Sequence, residues 1–211
     1  MQVTDFRLYL ITDRQQTCGR PLPDVVRQAL DGGVKAVQLR EKDLSGAELY
    51  RLAEELRQLT SDYGARLIIN DRLDVALAVA ADGVHIGIGS MPVAAVRRLL
   101  GPDRIIGYSA HAAHEALLAQ AEGADFVTFG PLYHTPSKAA YGAPCGIEML
   151  SEAVHLLEIP VIALGGITPE NISGALSSGA HGIALISAVM AAYDPCAAAA
   201  ALLKKIHERV S

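Results

Sequence analysis

Short apolar runs and helix-period segments alternate along the whole chain. The runs are Leu8 to Thr12, Ala36 to Leu39, Leu67 to Asn70, Gly83 to Ile86, Ile105 to Ser109, Phe126 to Gly130, Val161 to Leu164 and Ile183 to Ser187. They are near-continuously apolar, as parallel strands covered on both faces should be. Between them lie segments such as ELYRLAEELRQLTSDYG, where Leu49, Leu52, Ala53, Leu56 and Leu59 share one helical face and Gly64 supplies the stop. Eight strand-then-helix units predict an α/β fold, a single-domain (β/α)8 TIM barrel over residues 1–211, in preference to an open doubly wound sheet.

Polarity along these units is lopsided. Residues entering the strands are Gly, Ala or apolar, whereas those leaving carry Thr12, Asp13, Gln38, Arg40, Glu41, Lys42, Asn70, Asp71, Arg72, Ser109, His111, Thr135 to Lys138, Gly165, Gly166 and Ser187. In a barrel every strand exit lies on one rim, and barrel enzymes place their chemistry there. Scattered polar groups should therefore converge on one mouth.

Composition narrows the partners. A net charge of −5 with 18 scattered Lys and Arg offers no basic stripe, so nucleic acid and acidic membrane surfaces are poor partners and small molecules good ones. Cys18, Cys145 and Cys196 lie far apart with no CxxC pair, which reads as reduced thiols rather than a disulfide framework or zinc knuckle. No apolar stretch is long enough to span a bilayer and no signal-peptide pattern opens the chain, so the expected location is the cytoplasm.

Four motifs carry candidate chemistry. In GPLYHTPSK, Thr135, Ser137 and Lys138 offer two hydroxyls and a cation on a loop, residues 131–146, longer than most connections. That suits a phosphate better than a turn; the plain alternative is a solvated loop with a surface lysine. In ALGGITPENI, Gly165 and Gly166 end the seventh run, and Thr168 is expected to cap a helix with Pro169 at its first position. With Ser187 after the eighth run, these residues occupy the place where barrels commonly bind phosphate. In VQLREKD, Gln38 and Arg40 share a strand face and Lys42 follows; they call for an anion, unless Glu41, Asp43 or Asp71 neutralises the cations. In IINDRLDVA, Asp71 can cap a helix, bind a metal, or do both. HIGIGSMP fails the GxGxxG pattern at Pro92, and His85, His111 and His134 read mostly as hydrogen-bonded structure.

Together QLREKD, INDR, GVHIG, GYSAH, FGPLYHTPSK, VIALGGITPEN and ALIS resemble the thiamine-phosphate synthase family in order and spacing, over almost the whole chain. The resemblance implies a (β/α)8 barrel that joins 4-amino-5-hydroxymethyl-2-methylpyrimidine pyrophosphate to a thiazole phosphate, releasing pyrophosphate with the help of Mg2+. It implies that Gln38, Arg40, Lys42 and Asn70 hold the pyrophosphate and pyrimidine, and that Ser109 touches the pyrimidine. It further implies that Thr135, Ser137 and Lys138 grip phosphate groups, while Gly166, Ile186 and Ser187 receive the thiazole phosphate. Lys138, Arg40 and Ser109 are the catalytic candidates and Asp71 the metal ligand. After GVHIG the family usually supplies a second acidic ligand, whereas this chain has Ile88, Gly89 and Ser90, so Ser90 is the candidate substitute and weaker metal binding is expected. Thiazole tautomerases share the barrel and need no metal; their acid/base His would fall where Pro131 stands, leaving His134 as substitute. A non-catalytic binder of thiamine precursors is the third reading. Retention of Lys42, Asp71 and the Thr, Ser, Lys set favours the synthase.

Overall fold

The computed structural model describes residues 5–135 and 144–210. The strands are β1 (Leu8–Ile11), β2 (Ala36–Leu39), β3 (Arg66–Asn70), β4 (Gly83–Gly87), β5 (Ile105–Ala110), β6 (Phe126–Phe129), β7 (Val161–Leu164) and β8 (Gly182–Leu185). All neighbours pair in parallel, and β1 also pairs with β8, so the sheet closes in the order β1 to β8. An open sheet is excluded.

The helices α1 (Leu22–Asp31), α2 (Gly46–Asp62), α3 (Leu73–Ala78), α4 (Val93–Leu100), α5 (Ala113–Ala121), α6 (Gly146–Leu156), α7 (Ile172–Ser177), α8 (Ser187–Met190) and α9 (Pro195–Val210) surround the sheet. Local chemistry sets their ends. Ser45 and Glu48 form a reciprocal capping box at the start of α2, satisfying two amide donors the helix leaves unpaired. Thr168 does not cap α7 as expected, because the helix starts later, at Ile172. Its hydroxyl instead accepts from the Glu170 amide in a turn, while the Asn171 carboxamide accepts from the Thr168 amide. No helix among the described residues is long and apolar enough to cross a membrane.

Strand alternation divides the core in two. Outward residues such as Leu8, Leu10, Val37, Leu67, Ile69, Val84, Ile106 and Val127 pack under the helices. Inward residues Tyr9, Ala36, Ile68, Ile105, Phe126, Ile162 and Ala184 fill the barrel with Phe6. Phe126 meets the Phe6 and Tyr9 rings edge-on, with centroids 5.6 and 5.4 Å apart, an attractive arrangement for aromatic quadrupoles.

The inward positions two residues nearer the strand exits are polar. Gln38 follows Ala36, Asn70 follows Ile68, Ser109 follows Ile105 and Gly107, and Thr128 follows Phe126. The period of two thus stacks a polar layer on an apolar floor, at the end where the strands leave.

Candidate active site

The rim begins with cations that their neighbours do not neutralise. β2 ends at Leu39, so Arg40 lies just past it, half-buried, and Lys42 is exposed. The carboxylates that could pair with them are engaged elsewhere. Buried Glu41 accepts the Thr12 hydroxyl at 2.7 Å and the Arg14 amide at 3.1 Å on both oxygens. Asp43 pairs with the Arg14 guanidinium at 2.8 Å. Asp71 binds Asn70 and Ser90. Among the described residues, neither Arg40 nor Lys42 has an ion-pair partner, so the neutralising set allowed by the sequence does not form.

Glu41 also clasps β1 to β2, since the Thr12 hydroxyl that donates to it accepts from the Arg40 amide at 3.0 Å. Burial raises its carboxyl above the ordinary 4.5, against the lowering effect of the Thr12 hydrogen bond. A raised folded-state value means that Glu41 contributes stability below pH 4.5 that is lost as pH rises through the shifted value. The stability of Glu41→Gln relative to wild type should therefore rise over that window in thermal melts. A pH-independent difference would contradict this.

Next along the rim stand Asn70 and Asp71. Asp71 adopts φ 59°, a left-handed conformation that Asp tolerates better than most residues. It does not cap α3, which begins after Arg72 and has no side-chain cap. Its amide donates to the His85 carbonyl at 2.9 Å, and its carboxylate accepts the Asn70 amide at 2.8 Å and the Ser90 hydroxyl. Ser90 in turn accepts from the Gly87 amide at 2.8 Å. The turn after β4 is thereby fastened to the end of β3, with the Asp71 and Ser90 oxygens in contact.

Below these residues runs a buried polar chain. The Gln38 carboxamide donates to the Tyr9 hydroxyl at 3.0 Å, and Tyr9 meets His85 Nδ1 at 3.4 Å. His85 Nε2 meets the Ser109 hydroxyl at 2.9 Å, and Ser109 meets Thr128 at 3.3 Å. Burial, helped by the charge of Arg40, pushes the imidazole down to about 3, so it is neutral at physiological pH. Burial likewise pushes the Tyr9 phenol well above its usual range. Gly107 makes room: a β-carbon there would collide with His85 Nδ1 and the Phe126 ring. Sequence reading set His85 aside as structural and missed Tyr9. The available signal was parity, since His85 lies two residues from Gly83 and Gly87 on one strand face.

Across the mouth, beyond β7 and β8, lies a cavity of about 440 Å³. Its walls include His134, Thr135, Gly166, Ile167, Ile186 and Ser187. The segment after β6 is held there by main-chain bonds, Leu132 N to Leu164 O at 2.8 Å and Tyr133 N to Gly165 O at 3.0 Å. The backbone N–H groups of Gly166, Ile167, Ser187 and Ala188 have no acceptor among the described residues. Convergent free amides of this kind hold anions.

The structure thus brings Thr135, Gly166, Ile186 and Ser187 to one cavity and Gln38, Arg40, Lys42, Asn70, Asp71, Ser90 and Ser109 to the β2–β5 side of the same rim. Ser137 and Lys138 lie outside the described residues. No cluster of three His, Cys, Asp or Glu suited to a metal occurs among the described residues.

A closed parallel barrel with cations on one side of its exit rim and amides on the other that have no partners among the described residues has the form of a (β/α)8 enzyme suited to phosphorylated small molecules. The chain belongs to the thiamine monophosphate synthase family, whose sequence profile matches residues 8–189. A Geobacter sulfurreducens protein whose own name proposes a thiamine-phosphate synthase is 56% identical over 209 residues, covering 99% of this chain and 98% of that protein. A thiamine-phosphate synthase of Moorella thermoacetica is 46% identical over 192 residues, 91% of each. The solved thiamine phosphate pyrophosphorylase of Pyrococcus furiosus superimposes with a TM-score of 0.91 at 40% identity, covering 99% of both chains. These relatives favour the synthase over the tautomerase, although His134 does line the cavity.

Proposed function

We propose that this transferase couples 4-amino-5-hydroxymethyl-2-methylpyrimidine pyrophosphate to a thiazole phosphate, giving thiamine phosphate and pyrophosphate. What supports the reading is the placement of cations without ion-pair partners and of amides without acceptors, among the described residues, on opposite sides of one rim. Arg40 and Lys42, without carboxylate partners among the described residues, would face a diphosphate; the amides of Gly166, Ile167, Ser187 and Ala188 would face a phosphate monoester.

The chemistry asks for little beyond this. The bond from the pyrimidine methylene to the diphosphate oxygen breaks, and the electron pair leaves with the diphosphate. The aminopyrimidine ring spreads the resulting positive charge, and the thiazole nitrogen then supplies the pair for the new C–N bond. No proton moves, so the chemistry requires no acid/base pair at the rim. Arg40, Lys42 and, by family resemblance, Lys138 stabilise charge growing on the leaving group, the kind of preorganised electrostatics that accounts for much enzymatic rate enhancement. The cavity orients the thiazole so that its nitrogen meets the opened carbon, converting a two-body encounter into a positioned one.

Magnesium fits the residues present, with a reduced set of protein ligands. Asp71 and Ser90 offer adjacent hard oxygens, and Mg2+ commonly takes one or two carboxylates with substrate phosphates and water. Asp71 would hold the ion with Ser90 beside it, and the bound metal would neutralise charge on the diphosphate. Both carboxylate oxygens of Asp71 already accept hydrogen bonds, so the ion must compete with Asn70 and Ser90. Ser90→Asp is expected to lower the magnesium concentration for half-maximal rate about tenfold, by adding one charged ligand. An unchanged or increased requirement would count against the assignment.

The functional reading itself is tested by incubating the protein with both substrates, with and without Mg2+, and assaying for thiamine phosphate and pyrophosphate. Equimolar products that disappear on chelation support it. Binding of both substrates without product at saturating metal would leave a binder, and metal-independent aromatisation of a thiazole carboxylate phosphate would indicate a tautomerase.

A further inference from the structure

The buried chain from Gln38 to Ser109 has a direction that its hydrogen bonds fix. Gln38 Nε2 donates to the Tyr9 oxygen. Tyr9 is fully buried, so its own proton needs an acceptor, and His85 Nδ1 at 3.4 Å is the partner in reach. In a neutral imidazole an accepting Nδ1 leaves Nε2 as the N–H. Nε2 therefore donates to Ser109 Oγ at 2.9 Å. The reverse polarity would leave the Tyr9 hydroxyl accepting twice and donating to nothing, a costly state for a buried group.

This direction sets what the site shows to a ligand. Gln38, Tyr9, His85 and Thr128 are buried to 2% exposure or less, whereas Ser109 is half-buried and reaches the mouth. With its oxygen accepting from His85, the Ser109 hydroxyl can turn its proton from Thr128 Oγ1, 3.3 Å away, toward a ligand at the mouth. Gln38, with its amino group committed to Tyr9, keeps its carbonyl oxygen as an acceptor without a partner among the described residues. One donor and one acceptor result. The edge of a 4-aminopyrimidine presents their complement, a ring nitrogen that accepts and an exocyclic amine that donates; a 4-oxopyrimidine presents the opposite pair.

We infer that Tyr9 and His85 are positioning residues that fix the donor–acceptor polarity of Ser109 and Gln38, and so select a 4-amino over a 4-oxo pyrimidine. This rests on the synthase reading and assigns specificity within it. Neither residue touches the reacting carbon; both act through their neighbours. The Gly107 clearance supports the assignment, because room for a ring at position 85 is secured by the lack of a side chain on the adjacent strand.

The test measures calorimetric affinity for the 4-amino pyrimidine diphosphate and its 4-oxo analogue, in wild type, Tyr9→Phe, His85→Leu and His85→Gln. Thiazole phosphate affinity reports folding. Wild type should prefer the amino compound about a hundredfold, since a site built for hydrogen bonds penalises mismatched partners. That preference should fall to a few-fold in Tyr9→Phe and His85→Leu. It should persist in His85→Gln, whose carboxamide can accept from Tyr9 and donate to Ser109 in the same sense. Thiazole phosphate affinity should stay within about twofold of wild type throughout. If His85→Leu fails to fold, Tyr9→Phe decides. An undiminished preference in a folded Tyr9→Phe or His85→Leu overturns the proposal, as does an equal loss for both compounds. Failure of wild type to bind the amino compound at all would instead overturn the synthase reading beneath it.

Discussion

Replacing Arg40 with methionine should lower kcat/KM about a hundredfold to a thousandfold, the usual cost of removing one well-placed group that stabilises transition-state charge. The melting temperature should move by no more than about 2 °C, because Arg40 makes no ion pair among the described residues. The two halves of this expectation separate a binding cation from a structural one. Glu41 is taken by Thr12 and Arg14, Asp43 by Arg14, and Asp71 by Asn70 and Ser90. Arg40 is thus a half-buried charge whose counter-ion is absent among the described residues, an arrangement that costs solvation energy unless an anion arrives. Steady-state kinetics with the pyrimidine diphosphate, alongside a thermal melt, read both quantities. Retained activity, or a large fall in stability, would show that Arg40 belongs to the scaffold.

Gly166→Ala should damage the opposite wall. Gly166 has φ 66°, and a β-carbon there would lie 2.8 Å from the His134 carbonyl oxygen and 2.8 Å from Tyr133 Cβ. The first of these is backbone, so relief requires the segment after β6 to move outward. The left-handed conformation adds strain of about 1 kcal/mol for a non-glycine residue. That segment carries His134 and Thr135 into the cavity, so its displacement opens the phosphate site. KM for the thiazole phosphate should rise at least about tenfold, corresponding to roughly 1.4 kcal/mol of lost binding, while the affinity for the pyrimidine diphosphate changes little. Equal weakening of both substrates would mean that the two subsites are not separate walls.

The barrel was legible because parallel strands are apolar on both faces, so each run stood out from its flanking helix whatever its neighbours. Boundaries shifted by a residue or two where polar exits changed role. Thr12 leaves β1 to donate to Glu41, and Ser187 opens α8 rather than ending β8. The rim was legible for the same reason as the strands, since topology sends every exit to one end. Pairing was not. Whether Glu41 neutralised Arg40 depended on the turn after β1, where Thr12 and the Arg14 amide reach it first. In the turn after β7, Thr168 was expected to cap a helix, but its amide is taken by the Asn171 carboxamide and α7 starts only at Ile172. Tyr9 and His85 escaped because an inward polar side chain in an apolar strand looks the same in sequence whether it braces the fold or orients a ligand. The cross-strand contacts with Gln38 and Ser109 show what Tyr9 and His85 touch, which the sequence does not.

The central claim is that two anions sit on facing walls of one mouth, and a crystal structure with thiamine phosphate and pyrophosphate bound tests it most directly. With Mg2+ present, pyrophosphate should lie against Arg40 and Lys42 and meet Asp71 through the ion, with the phosphate monoester in the cavity lined by Gly166 and Ser187. Both anions on one wall, or either at the opposite end of the barrel, would contradict the account.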